Sequence, residues 1–382
     1  MPDHENISMK VAIVHDWFVV KGGAEKVVKQ MLECFPSAEV FSLFDFLSPE
    51  DRKEIMKDKK VKVSFMQKLP FAKKNYRYFF PVFSKAIESI SLKGFDLILS
   101  SSHAVAKGII TEKDQIHVCY CHTPVRYAWD MKEDYMKMVP PGVRNIVSWR
   151  LNKLQKWDKE NAHNVTQYIA NSKNISNRIK NNYDKNSSVV YPPIDTDYFV
   201  PADKNEAYNN AFLVVSRLVP YKRVDLIIEA FNRHPELKLN VIGDGPEFNN
   251  LKSIANPNIK LLGYQSDQTV REYYQRSRAL LLAAIEDFGI TSAEAQACGT
   301  PIIALNKGGY SETVIDKVSG VFFEDQTVEE IDTGIQRFLE IEDSFDAVKI
   351  RNHAEKFKID RFKKEFLSIV NNTIEKYQFS VV

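Results

Sequence analysis

The stretch Glu286–Glu312, EDFGITSAEAQACGTPIIALNKGGYSE, constrains the fold of this chain more than any other. Glu286 precedes a Phe-Gly turn, and Glu294 follows eight residues later inside a new helix. Gly299-Thr300-Pro301 stops that helix, and Pro301 to Leu305 has the apolar composition of a buried strand. Gly308-Gly309 makes a second tight turn before Ser311-Glu312. The pattern is strand, loop, helix N-terminus, strand and second glycine loop. An α/β sheet builds an anion site this way, because helix N-termini present free N–H groups and glycines admit a ligand to the backbone. A plainer reading stands beside it: Thr291-x-x-Glu294 fits a capping box, in which Glu294 only satisfies the helix start.

The rest of the second half repeats the strand–loop–helix theme. Ala211–Ser216 reads as a strand and ends at Arg217, with Lys222 and Arg223 before a helix over 224–231. Charges at the carboxyl end of a strand lie at the ligand edge of an open sheet. Leu239–Ile242 leads into Gly243-Asp244-Gly245, Ile259–Leu262 into Gly263-Tyr264, and Ala279–Ala284 into Glu286. Pro192–Pro201 reads as an interdomain connection, and its Asp195-x-Asp197 as turn residues rather than metal ligands.

The first half opens with a polar tail over residues 1–8 and a strand over Lys10–His15. Asp16-Trp17 follows, then Gly22-Gly23 and a helical pattern, the opening βα unit of a doubly wound sheet. Ala38–Leu43, Phe95–Ser100, Ile116–Cys121, Tyr168–Ala170 and Val189–Tyr191 read as further strands. Ile116–Cys121 ends at His122, with Arg126 and Trp129 just beyond, at the same edge as Trp17. Trp149, Leu151, Leu154 and Trp157 suit one amphipathic helix. Residues 57–85 carry nine Lys/Arg against one acid, Asp58, interleaved with Phe65, Phe71, Tyr76, Tyr78, Phe79, Phe80 and Phe83. Two readings lead: a solvated helix with its apolar side in the core, or a patch that meets anionic headgroups and places rings at the lipid boundary; a single-stranded nucleic-acid surface ranks last, because no nucleic-acid motif accompanies the segment.

The Glu286–Glu312 string, with its Phe-Gly, Gly-Thr-Pro and Gly-Gly-x-x-Glu, resembles the Glu-x7-Glu signature of the retaining GT-B nucleotide-sugar glycosyltransferases, glycosyltransferase family four. The longer strings HDW, GGAEKV, SSHAVAKG and CHTPVRYAWD are similar to a WbaZ-type subgroup of bacterial mannosyltransferases. The likeness runs over nearly the whole chain. It implies an α/β GT-B fold, two Rossmann-like doubly wound domains facing across a cleft. The boundaries expected are 1–195 for an acceptor domain and 196–357 for a nucleotide-sugar domain. A helix over about 358–382 packs back on the first, with Phe362, Phe366, Ile369 and Ile374 docking.

The resemblance also assigns roles. Glu286 and His122 meet the reacting sugar, and Glu294 meets the donor ribose. Arg217 and Lys222 hold the diphosphate, Gly22, Gly23, Gly243, Phe288, Gly289 and Ile290 are further donor-binding positions, and Tyr264 lies near the base. Trp17, Arg126 and Trp129 are expected toward the acceptor. No metal and no cofactor are expected. The implied reaction moves a hexose, mannose from GDP-mannose first, to a lipid-linked saccharide in O-antigen-type polysaccharide assembly. UDP-glucose or UDP-galactose as donor and a non-catalytic GT-B partner subunit are the alternatives. A covalent intermediate and a same-face displacement are not separated.

Composition narrows the setting. With 52 Lys+Arg against 50 Asp+Glu, the net charge of +2 speaks against a general polyanion binder. Four scattered cysteines do not make a disulfide framework, and reduced thiols are expected. No apolar run reaches the roughly 18 residues of a membrane span, so a cytoplasmic protein, peripheral on the inner face of the membrane, is expected.

Overall fold

The computed structural model describes residues 9–57, 59–137, 139–202 and 210–380, so the expected tail over 1–8 lies outside the described residues, as do Asp58 and the side chain of Arg77. The chain divides into two units, one up to Tyr191 and resuming at Phe362, the other Pro192–Arg361. Pro192–Pro201 therefore belongs to the second unit. Its backbone explains why: Ile194 N–H donates to Phe357 O at 2.8 Å, and Arg351 donates to Thr196 O at 2.9 Å. Asp195 accepts from Tyr198 N–H at 2.9 Å, which is a turn role.

Among the described residues the first unit holds a parallel sheet of β1 (Val11–His15), β2 (Glu39–Ser42), β3 (Val61–Val63), β4 (Leu97–Ser102), β5 (Ile116–Cys121), β6 (Gln167–Ala170) and β7 (Ser187–Val189). Its order is β3-β2-β1-β4-β5-β6-β7. Chain order therefore reverses between β1 and β4. β1, β4 and β5 are buried along their whole length, as strands covered on both faces must be. Helix α1 (Gly23–Cys34) buries Val27, Val28 and Met31 on one face, and α2 (Arg144–Asn161) buries Leu151, Leu154 and Asp158. Trp149, grouped by the sequence with Leu151 and Leu154, is 55% exposed. It lies two positions from Leu151, more than half a turn away at 3.6 residues per turn. The C-terminal helix α5 (Ile359–Ser380) returns to this unit and buries Phe362, Phe366 and Val370, with Ile369 and Ile374 partly buried beside them.

The second unit holds β8 (Ala211–Val215), β9 (Lys238–Ile242), β10 (Ile259–Gly263), β11 (Leu280–Leu282), β12 (Ile302–Leu305) and β13 (Gly320–Phe323), again parallel. The order β10-β9-β8-β11-β12-β13 reverses between β8 and β11. Helices α3 (Val224–Asn232) and α4 (Ile290–Ala297) follow β8 and β11. Two parallel Rossmann-like sheets make this an α/β protein of GT-B type. β3 and β13 have no counterpart among the strands expected from sequence. β3 is a three-residue edge strand, and β13 is a four-residue strand at the other sheet's edge, paired with β12.

Candidate functional site

In the second unit the loops after β8 and β11 carry Arg217, Lys222, Glu286, Phe288 and Gly289 of the predicted donor residues, while Gly243 and Tyr264 follow β9 and β10. The neighbouring strands β8 and β11 flank the reversal of chain order, where open α/β sheets leave a crevice for ligands. Lys222 Nζ is bonded to Glu286 Oε1, and both side chains are largely withdrawn from solvent. Arg217 is exposed at the end of the same loop. The crevice between these strands is lined by Ser216, Lys222, Ala284, Thr291 and Tyr310, among others.

Backbone geometry explains the glycines. Leu218 N–H donates to Asp244 O and Ser216 N–H to Ile242 O, each at 3.0 Å. Gly243 has φ +140, and a Cβ there would stand 1.8 Å from Ser216 O. The Gly243 loop thus presses against the loop that carries Arg217, an approach open only to glycine. Gly243 N–H also reaches Gly263 O at 2.9 Å, while Tyr264 beyond it is 79% exposed.

Gly289 starts α4 with φ +89, and among the described residues no side chain caps that helix. Thr291 is therefore inside the helix rather than at its cap, and the capping-box reading of Thr291-x-x-Glu294 is overturned. The positive φ at Gly289 moves the helix start two residues upstream. Phe288 and Glu294 are buried, and Ile290 is half-buried. Gly309 N–H donates to Glu286 O at 2.7 Å, and a Cβ at Gly308 would stand 2.4 Å from that same oxygen. The second glycine loop therefore backs the Glu286 loop directly.

In the first unit a polar network joins two predicted site positions. Gly22 N–H donates to Glu25 Oε2 at 3.1 Å, and Glu25 Oε1 is 3.7 Å from His15 Nε2. His15 Nδ1 meets Ser101, whose Oγ is 2.8 Å from His122 Nε2. Gly23 begins α1 next to Gly22. Beside the network, Asp16 is buried and accepts four backbone N–H groups, from His103, Ala104, Val105 and Ala106. Its oxygen also lies 3.1 Å from His103 Nδ1. Burial pushes the His122 pKa well below the usual imidazole range, and the nearby His103 and His15 add to this, so the ring is neutral.

The weaker acceptor residues scatter. Trp17 lies edge-on to His103, with ring centroids 4.6 Å apart, and also packs on Tyr76 and Phe83. Arg126 is half-buried. Trp129 turns inward, its indole N–H donating to buried Asp158 at 2.8 Å. Sequence reasoning did not single out His15, Asp16, Glu25, Ser101 or His103 as site residues. A signal was present: each is a polar residue in or just after an otherwise apolar strand or helix start.

The basic aromatic segment divides. Phe83 is core, and Tyr76, Phe79 and Phe80 are partly buried against it. Phe65, Phe71 and Tyr78 are exposed, as are Lys68, Lys73, Lys74 and Lys85. Phe71 is 77% exposed and holds a left-handed φ of +58, a conformation unfavourable for a bulky side chain. No described helix is long and apolar enough to cross a membrane.

Comparison with known proteins assigns the family. The Glycosyltransferase Family 4 signature matches residues 21–198, and the Glycosyl transferases group 1 signature matches residues 200–357. The chain belongs to the GT-B glycosyltransferases of group 1 and family 4. Among the relatives of this glycosyltransferase-family chain is glycosyltransferase MJ1178 of Methanocaldococcus jannaschii, 30% identical over 42% of this chain and 46% of that protein. A second is the GDP-mannose-dependent alpha-(1-6)-phosphatidylinositol monomannoside mannosyltransferase of Mycolicibacterium smegmatis, 30% identical over 38% of this chain and 44% of that one. The matches thus span under half the length of these relatives. Anabaena Alr3699/HepE, crystallised with UDP and glucose, shares the fold with a TM-score of 0.71 at 17% identity, over 95% of this chain and 99% of that chain.

Proposed function

We propose that this protein is a retaining glycosyltransferase that moves a hexose from a nucleotide-sugar, with mannose from GDP-mannose as its leading donor. One observation carries the reading. Lys222 and Glu286 form a single ion pair at the chain reversal of the second sheet. A cation suited to a leaving phosphate and a carboxylate suited to sugar hydroxyls therefore share one site. As the nucleoside diphosphate departs, negative charge grows on phosphate oxygen. Arg217, Lys222 and the N-terminus of α4 stabilise that charge without a metal. Glu286 orients a sugar hydroxyl.

The donor rests on two strands of support. The strings HDW, GGAEKV and CHTPVRYAWD resemble WbaZ-type mannosyltransferases, and the Mycolicibacterium relative is by name GDP-mannose-dependent. The Anabaena structure holds UDP and glucose, which keeps a UDP-sugar as the competing donor. Thermal unfolding with GDP, UDP, ADP and dTDP at matched concentrations separates them. A nucleotide at 100 times its Kd stabilises the folded chain by about 2.7 kcal/mol. A selective GDP shift is expected. A selective UDP shift would overturn the mannose donor and keep the transferase, and no shift at all would bring the non-catalytic partner forward.

The acceptor in this reading is a lipid-linked saccharide of bacterial surface polysaccharide, reached from the cytoplasmic face. Exposed Phe65, Phe71 and Tyr78 beside exposed Lys68, Lys73 and Lys74 support a membrane-facing patch. Each such lysine contributes about 1 kcal/mol near an anionic leaflet. Flotation is expected to recover the protein with phosphatidylserine vesicles and far less with neutral ones. Lys73→Glu with Lys74→Glu should abolish the difference. Equal recovery on both vesicle types would count against the patch.

A further inference from the structure

β1 and β4 are the strands between which the first sheet reverses its chain order, and they place His15 beside Ser101. His15 Nδ1 lies 3.0 Å from the Ser101 carbonyl oxygen and 3.1 Å from Ser101 Oγ. A carbonyl oxygen only accepts, so His15 Nδ1 carries a hydrogen. Ser101 Oγ thus faces a donor on one side and His122 Nε2, 2.8 Å away, on the other. Its single hydrogen goes to His122 Nε2, which accepts. We infer that Ser101 is a positioning residue that holds His122 in the Nδ1–H tautomer, so that the ring offers its substrate a hydrogen-bond donor and not a lone pair.

The surroundings leave the tautomer as the property to be set. Burial keeps the His122 ring neutral, so one nitrogen donates and the other accepts. The backbone of His122 is pinned at both ends: its N–H donates to Ser102 O at 2.8 Å, and its carbonyl accepts from Asn171 Nδ2 at 2.9 Å. Ser101 is fully buried, whereas His122 is partly exposed. The same sheet contains a comparison pair. Ser100 Oγ and His117 Nε2 are 2.7 Å apart, but His117 is completely buried. The Ser101–His122 pair repeats that chemistry at the ligand edge. An Nδ1–H donor selects an acceptor oxygen on the substrate, such as a sugar hydroxyl or a phosphate oxygen. That role rests on the transferase reading; the tautomer itself does not.

The full chain contains eight histidines, few enough for selective labelling of the imidazole nitrogens with 15N. Long-range proton–nitrogen spectra distinguish a protonated from an unprotonated ring nitrogen, and His122→Gln assigns the signals. The wild-type chain is expected to show His122 with a protonated Nδ1 and an unprotonated Nε2. Ser101→Ala should convert it to a mixture, and Ser101→Thr, which keeps the hydroxyl, should preserve it. Loss of one neutral hydrogen bond of about 1 kcal/mol predicts that kcat for Ser101→Ala falls about fivefold. KM should change little, and Ser101→Thr should restore kcat. A protonated Nε2 in the wild type would overturn the inference without any variant, and so would an unchanged spectrum in Ser101→Ala. The expected tautomer in a chain that transfers no sugar would support the assignment and sink the transferase reading alone.

Discussion

Arg217→Ala is expected to lower turnover by two to three powers of ten. Arg217 stands at the carboxyl end of β8, on the loop that also carries Lys222. Its guanidinium is always charged, and its fork geometry matches paired phosphate oxygens. In the proposed reaction the interaction strengthens as the diphosphate leaves, so its loss is expected to fall on kcat more than on KM. Removing one preorganised donor of this kind raises a barrier by about 3–4 kcal/mol. Arg217→Lys keeps the charge, loses the fork and should fall between the two. Steady-state kinetics with the donor identified by thermal shift checks this, and unchanged turnover in Arg217→Ala would remove Arg217 from the site. The fold of the variant is not at issue, because the side chain is exposed and the loop is held by backbone bonds to Asp244 and Ile242.

The largest effect on stability is expected at Asp16. Its carboxylate takes N–H groups from His103 and Ala104 on one oxygen, at 2.6 and 2.9 Å, and from Val105 and Ala106 on the other, at 2.5 and 2.7 Å. Asp16→Ala strands four buried donors, each worth about 1–3 kcal/mol when left unmade. Water entering the gap offsets part of this, and a loss of about 4 kcal/mol or more is expected. Asp16→Asn keeps the shape but turns an NH2 toward N–H donors, so it should also destabilise. All four tryptophans, Trp17, Trp129, Trp149 and Trp157, lie in the first unit, so tryptophan fluorescence during denaturation reads that unit's transition. A loss below about 1 kcal/mol in Asp16→Ala would contradict the cradle.

Asp16 also carries a pH signature. Burial alone would raise its carboxyl pKa, but His103, His15 and the backbone donors hold it below the usual value. A group with a depressed folded pKa stabilises fully above its unfolded pKa, near 4, and loses that contribution as pH falls toward the folded value. The wild-type first unit should therefore weaken below pH about 4, and Asp16→Asn should weaken less steeply over the same range.

Much of this was readable in one dimension. Strands such as Ile116–Cys121 and Ala211–Val215 announce themselves as short apolar runs between turn residues, because strands covered on both faces have no polar side to show. Gly243 and Gly289 mark the turns for a related local reason: each takes a positive φ, and Gly243 also comes close to a neighbouring backbone. The edge strands were harder. Val61–Val63 is hidden in a basic stretch, and its pairing with β2 is not encoded locally. Trp149 departs from the apolar face of its amphipathic helix because the buried stripe runs through Leu151, Leu154 and Asp158, and position 149 falls off it.

By itself, the sequence determined the α/β class, the order of strands and loops, and the residue types at each loop: a cation pair, two carboxylates and their glycines. These follow from local periodicity and backbone sterics, which act over a few residues. Only the tertiary structure decided which loops meet. The chain reversals that bring β8 beside β11, and β1 beside β4, pair Lys222 with Glu286, 64 residues away, and His15 with Ser101, 86 residues away. The four N–H groups on Asp16 are likewise supplied by a turn nearly 90 residues downstream. Strand adjacency in a parallel sheet depends on how crossover helices pack, a property of the whole core.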